Sequence, residues 1–198
     1  MTGVPTADTR TTIGSRALAR RSLLVGAAAA FALPRPGRAM TCTALNPKWA
    51  YVADTVMGGV STGRIDPVSD AGRSAMRLTG RVSLDNNGGF IQMAFDPVPG
   101  GPAIDASAFT GIRFETRGNG ETYDVSLRTT ELKRPWQSYR ASFTAGPDWT
   151  QVTLPFADFE PNRAPVPFDP AKLRRIGILA IGREFDADVA VAGMCLTA

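Results

Sequence analysis

An acid, a glycine pair and a hydroxyl follow one another between Asp54 and Ser61, in the stretch DTVMGGVS. That grouping allows three chemistries: a loop cradling phosphate with its backbone N–H groups, a serine nucleophile, or a turn fixed by a carboxylate. The rest of the sequence removes the first two. A phosphate loop needs Lys and then Ser or Thr after its glycines, and MGGVSTGR has no Lys. There is no histidine anywhere, which excludes Ser-His-Asp and Cys-His systems and histidine-ligated zinc. Two cysteines are too few for a thiolate zinc site. Glycoside hydrolysis needs only two acids about 5 to 9.5 Å apart, and Asp54, Asp85, Asp124, Glu131 and Asp158 are available. Nothing in their spacing brings a pair together, and acids in such sequences are mostly turn formers or solvated. No catalytic residue, metal site or cofactor is therefore assigned.

The elements that must position these residues are strands. Apolar residues recur with period two, as in YDVSLRT, where Tyr123, Val125 and Leu127 alternate with Asp124, Ser126 and Arg128. Similar runs, AMRLTG, GRVSL, GFIQMAF, GIRFETRG, SYRASFT, WTQVTLPF, RIGILAIG and DVAVAGMCL, are separated by Gly, Pro, Asn and Asp clusters, as in an antiparallel β-sandwich. The spacing of Gly118 and Gly120 predicts a hairpin, with Asn119 and Gly120 in positive-φ positions. LDNNGGF predicts another, in which Asn86 and Asn87 tolerate left-handed angles and Phe90 opens the next strand. DPAKLRRIG holds one helical turn opened by Pro170, and the proline-rich DFEPNRAPVPFDP wraps the outside. Trp149, Phe156 and Phe159 are assigned to the core, and Met57 is read as a plug into it.

The formal charge of +4 is unevenly placed. Residues 1–39 carry six Arg and one Asp, while the remaining residues carry 16 basic and 17 acidic side chains, so the body has no field to hold a nucleic acid. The leader has an Arg-containing start, the apolar run LLVGAAAAFAL and a tail ending in small residues, which together predict a signal peptide over 1–39. Arg20 and Arg21 followed by SLL resemble a twin-arginine export signal, with an ordinary secretory signal as the alternative. The destination is the periplasm, with membrane contact only through an uncleaved signal. In that oxidising compartment Cys42 and Cys195 are expected to form a disulfide joining the ends of a 40–198 domain, a lipid on Cys42 being the other reading.

Three patterns occur in order: WAYVADTVMGGVS from Trp49, GRVSLDNNGGF from Gly80, and YDVSLRTT, SYRASF and WTQVTLPFADFEP between Tyr123 and Pro161. Together they resemble the complex I intermediate-associated protein 30 family over nearly all of residues 48–196. The resemblance implies an all-β, antiparallel jelly-roll sandwich of the galactose-binding-domain-like kind, the scaffold also used by carbohydrate-binding modules. It implies a non-enzymatic assembly factor acting on a protein partner, from a respiratory complex or the envelope; a glycan is the alternative ligand.

The binding candidates are Asp54, Ser61, Asn86, Asn87, Arg128, Trp136 and Tyr139. At Asp54 a turn locked by its carboxylate competes with a binding edge, and at Asn86 and Asn87 a plain connection competes with a hydroxyl-binding face. Trp136 and Tyr139 in KRPWQSYR sit beside Lys133, Arg134 and Arg140, where Pro135 marks a loop or edge; for Trp136 a contact on the rim competes with a cap on one open end of the sandwich. A sugar binder would expose one of these rings beside Asn or Arg; a protein binder would show a broader apolar patch.

Overall fold

The computed structural model describes residues 41–198; the signal read for 1–39 and its Arg20–Arg21 pair lie outside the described residues. Among the described residues twelve strands form in chain order: β1 (Cys42–Ala44), β2 (Ala50–Ala53), β3 (Thr62–Asp70), β4 (Arg73–Val82), β5 (Phe90–Phe95), β6 (Gly111–Gly118), β7 (Thr122–Thr129), β8 (Ser138–Thr144), β9 (Thr150–Pro155), β10 (Glu160–Asn162), β11 (Leu173–Ile181) and β12 (Phe185–Thr197). They pair antiparallel in two six-stranded sheets. The first has the order β3-β4-β12-β6-β9, with β1 on the C-terminal end of β12. The second has the order β10-β8-β7-β11-β5-β2. This is the all-β antiparallel sandwich expected from the alternation, and the jelly roll that the family resemblance implies.

The alternating residues are what close the sandwich. Tyr123, Val125 and Leu127 of β7, Ile91 and Met93 of β5 and Ile176 and Ile178 of β11 face Leu78, Val82, Ile112, Phe114, Val189 and Val191 of the first sheet. Each large apolar side chain buried there contributes about 1.5–3 kcal/mol relative to exposure. Cys42 and Cys195 form a disulfide with Cα atoms 5.6 Å apart, beside the β1–β12 pairing. Closing 153 residues removes about 5 kcal/mol of unfolded-state entropy in the chain-entropy picture.

Two connections differ from the hairpins expected of them. The segment Ser83–Gly89 leaves β4, which pairs with β3 and β12, and enters β5, which pairs with β11 and β2. Asn119–Glu121 likewise carries β6 of the first sheet into β7 of the second. Both are crossings between sheets. Gly120 takes the positive φ of 86° but Asn119 does not. Asn119 is a staple instead: its Nδ2 donates to the Asp186 carbonyl at 2.7 Å, and its Oδ1 accepts the Tyr123 hydroxyl at 2.8 Å. The same hydroxyl accepts the N–H of Asp188 at 2.8 Å, and burial pushes it up to about 12.

The expected single turn forms at Pro170–Lys172, capped by the Asp169 carboxylate on the N–H of Ala171. Part of the proline-rich segment turns inward, with Phe168 packing against Phe156 and Phe159. Trp149 corrects its core assignment: it packs with Val68 against Ala75, Ala190 and Ala192 on the outer side of the first sheet, donating Nε1–H to Asp70 at 3.0 Å.

Candidate functional site

Asp54 opens a short 3-10 turn, Asp54–Met57, and is fully buried. Its carboxylate accepts the N–H of Ser61 at 3.0 Å, of Gly89 at 2.6 Å and of Phe90 at 3.2 Å, together with the Ser61 hydroxyl at 2.5 Å. Ser61 Oγ in turn accepts the N–H of Ser83 at 2.9 Å. Burial pushes the Asp54 carboxyl up, but these donors outweigh it and hold the group below the usual carboxylate range. A charge so buried is stable only when its lone pairs are filled, and here they are. The glycines make this approach feasible: a Cβ on Gly59 would lie 2.4 Å from Asp54 Cγ, and one on Gly88 would lie 2.6 Å from Asp54 Oδ2. Gly58 takes the left-handed φ of 92° that ends the turn.

Asp54 and Ser61 are therefore an internal lock joining the β2–β3 loop to the crossing into β5. Neither is a surface contact, since both are buried, which corrects their place among the binding candidates. Among the described residues no second acid bonds into the Asp54 lock; Glu131, at the other end of the second sheet, is bonded to Lys172 at 2.9 Å.

Met57 corrects a second expectation. It is 53% exposed, with Val56 72%, Val60 44% and Leu84 49% exposed. With every inward position of the loop taken by the lock, its apolar side chains project outward. Leu84 leans over Gly89, whose N–H Asp54 holds, so the four share one end of the sandwich. Asn86 and Asn87 are exposed in the same crossing, both left-handed with φ of 54° and 57°. The sequence signal for this apolar end was the run of Val56, Met57 and Val60 around glycines, which a core assignment hid.

The other candidates lie at the opposite end of the second sheet. Tyr139 is buried; its hydroxyl donates to the Val166 carbonyl at 2.8 Å and its ring meets Phe168. The period-two register of β8 points it inward, so it leaves the list of contact residues. Trp136 is 45% exposed in the β7–β8 loop, with the Arg134 guanidinium 5.9 Å from its ring and Asn162 Nδ2 donating to its carbonyl at 3.0 Å. Arg128 lies on the outer face of the second sheet, where its Nη2 donates to the carbonyls of Arg134 at 3.0 Å and Leu132 at 3.4 Å. Burial, then the charges of Arg175 and Arg174, push its guanidinium below its ordinary range. The Trp136 loop is thus tied to that face.

The family model for complex I intermediate-associated protein 30 matches residues 41–190. No curated protein sequence matches the chain. Among solved structures, it is similar to a family 11 carbohydrate-binding module of a cellulosomal cellulase of Clostridium thermocellum, at 14% identity and a TM-score of 0.63 over 80% of this chain and 95% of that one. The complex of the family 11 module from the same organism with a β-1,3-1,4-mixed-linked tetrasaccharide aligns at 14% identity and a TM-score of 0.62, covering 78% and 94%. A family 30 carbohydrate-binding module of another cellulosomal cellulase of Clostridium thermocellum aligns at 16% identity and a TM-score of 0.54, covering 80% and 91%. At these identities the likeness is one of fold.

Proposed function

The chain belongs to the complex I intermediate-associated protein 30 family, and from that premise we propose that it is an exported, non-enzymatic binding module that docks a protein partner through the apolar end of its sandwich. The observation that carries this reading is the exposure of Val56, Met57, Val60 and Leu84 together, on loops that the Asp54 lock fixes to one another. Scattered exposed apolar residues need no explanation, but several at one end mark an interaction surface. A pre-formed loop also lowers the ordering cost of association. The Ser61 hydroxyl donates to Asp54 and is buried with it, so it is committed to the lock. Export is supported by the leader sequence and by the Cys42–Cys195 disulfide, which suits an oxidising compartment.

The test is affinity purification of the mature domain from the periplasm, comparing wild type with Val56→Ser/Met57→Ser/Leu84→Ser. All three positions are exposed, so stability should change by about 0.5 kcal/mol or less per site. Recovery of the partner should fall at least about tenfold, the loss of about 1.4 kcal/mol. Equal recovery by both proteins, or no protein recovered while a glycan array gives clear hits, overturns the reading.

A carbohydrate ligand is the second reading, and one observation favours it: Trp136 presents a half-exposed ring beside Arg134 and Asn162. The fold shared with carbohydrate-binding modules agrees with it. Trp136→Ala should then abolish glycan binding and leave protein recovery unchanged.

A further inference from the structure

We propose that the outer face of the second sheet binds an acidic carbohydrate, whose carboxylates are taken by Arg128 and Arg140. Ser126 stands across from Arg140 in the β7–β8 register, so Arg128, two residues on, points to the same face as a diagonal neighbour. Such neighbours lie about 7–8 Å apart, within reach of one ligand. Among the described residues neither guanidinium has a carboxylate partner. Arg140 donates Nε–H to Ser138 Oγ at 3.1 Å and makes no other described hydrogen bond. Arg128 spends Nη2 on loop carbonyls, and its Nε is buried without a partner. Arg175, across from Arg128 on β11, is by contrast held by Asp96 at 2.7 Å.

Both free groups are half-buried and pushed below their ordinary range, Arg128 by burial and its arginine neighbours, Arg140 by burial and Arg163. Besides Asp96, which holds Arg175 and draws Arg128 upward, two acids share the face. Asp124, which draws Arg140 upward, accepts the Ser142 hydroxyl at 2.7 Å, and the exposed Glu160 stands across from Arg140 without an ion pair among the described residues. A guanidinium partly stripped of water and left with open donors gains most from an incoming carboxylate, which it binds in a planar, two-pronged fashion.

The surroundings favour a sugar over a peptide. Extended peptides are captured at sheet edges, where unpaired backbone groups are free; the middle strands here, β7 and β11, are paired on both sides. The face offers side chains instead: Ser126 and Gly177 form its floor, with Gln92 Oε1 leaning toward Gly177. At its end stands the half-exposed Trp136 ring, on a loop whose carbonyls meet Arg128 and Asn162. An aromatic plane, hydroxyl-binding groups and free guanidiniums fit a chain of uronic acids.

The test is calorimetric titration of the mature domain at low salt with tetragalacturonate, alongside neutral cellotetraose and tetraglutamate. Tetragalacturonate should bind, more weakly as salt rises, and Arg140→Gln should weaken it about tenfold or more. Arg140 ties no loop in place, so that variant keeps the fold; Arg128→Lys, which keeps charge but loses the fork, should weaken binding several-fold. Val56→Ser/Met57→Ser should bind tetragalacturonate as wild type does, which separates this site from the apolar end. Absence of binding, equal affinity for cellotetraose, tighter binding of tetraglutamate, or an unchanged Arg140→Gln would each overturn the proposal.

Discussion

The outer faces of the two sheets carry the same residue type, but on the second two arginines go without the carboxylate that Arg175 finds in Asp96. On the first, Arg77 meets Asp188, Arg73 meets Glu115, Arg117 meets Asp70 and Arg81 meets Asp186. Hydrogen bonds to those carboxylates hold the Arg73 and Arg77 guanidiniums above their ordinary range. On the second, burial pushes Arg128 and Arg140 the other way. Net charge cannot distinguish the two faces, because what matters is whether each charge found its partner during folding. A paired charge has been used to build the domain, and an unpaired one is left for a ligand. Asp54 is the extreme of the first kind, and so the most recognisable motif in the chain is structural while the apolar side chains around it remain free.

Substitutions can break this contrast, beginning with the most completely satisfied charge. Asp54→Ala strands three buried N–H groups and should cost about 3–5 kcal/mol in urea unfolding. A loss under about 1 kcal/mol would show that the lock is not what fixes the loops. The sign of its pH dependence follows from a folded-state carboxyl held below its unfolded range. Its contribution is complete above the unfolded value of about 3.9 and is lost as pH falls through the folded one. Wild type should therefore lose stability more steeply below about pH 4 than Asp54→Asn does. A smaller effect is expected on the first face, where Arg77→Met should cost about 0.5–1 kcal/mol, less at high salt, because the pair is partly exposed. Smallest is Arg140→Met, which should change stability by about 0.5 kcal/mol or less, or raise it, since no ion pair is lost. If Arg140→Met proved as costly as Arg77→Met, the distinction between paired and free faces would fail.

Much of the fold was legible because alternation over β5 to β8 and β11 to β12 leaves one wet and one dry side, a local pattern. Strand β3 was not, because Gly63 and Pro67 interrupt TGRIDPVSD and only pairing with β4 holds it as an edge. The two crossings read as hairpins for a related reason: Asn-Gly chemistry specifies a turn, but which strands flank it depends on partners far along the chain. Asp54 as a locked turn was legible from an acid beside glycines, whereas its burial and its reach to Gly89 and Phe90 were not. Tyr139 and Trp136 are separated by three positions and by a strand start at Ser138, so one faces the core and the other the rim. Arg140 was visible only as a basic neighbour of Trp136 and Tyr139, and its lack of a partner is a property of the assembled face.

The claim that the apolar end is the docking site is tested most directly by placing a photo-crosslinking amino acid at position 57, with position 81 on the first sheet's outer face as the control, in cells exporting the protein. Illumination should join a discrete protein to position 57 and none to position 81. Adducts at both positions alike, or none at position 57, would contradict it.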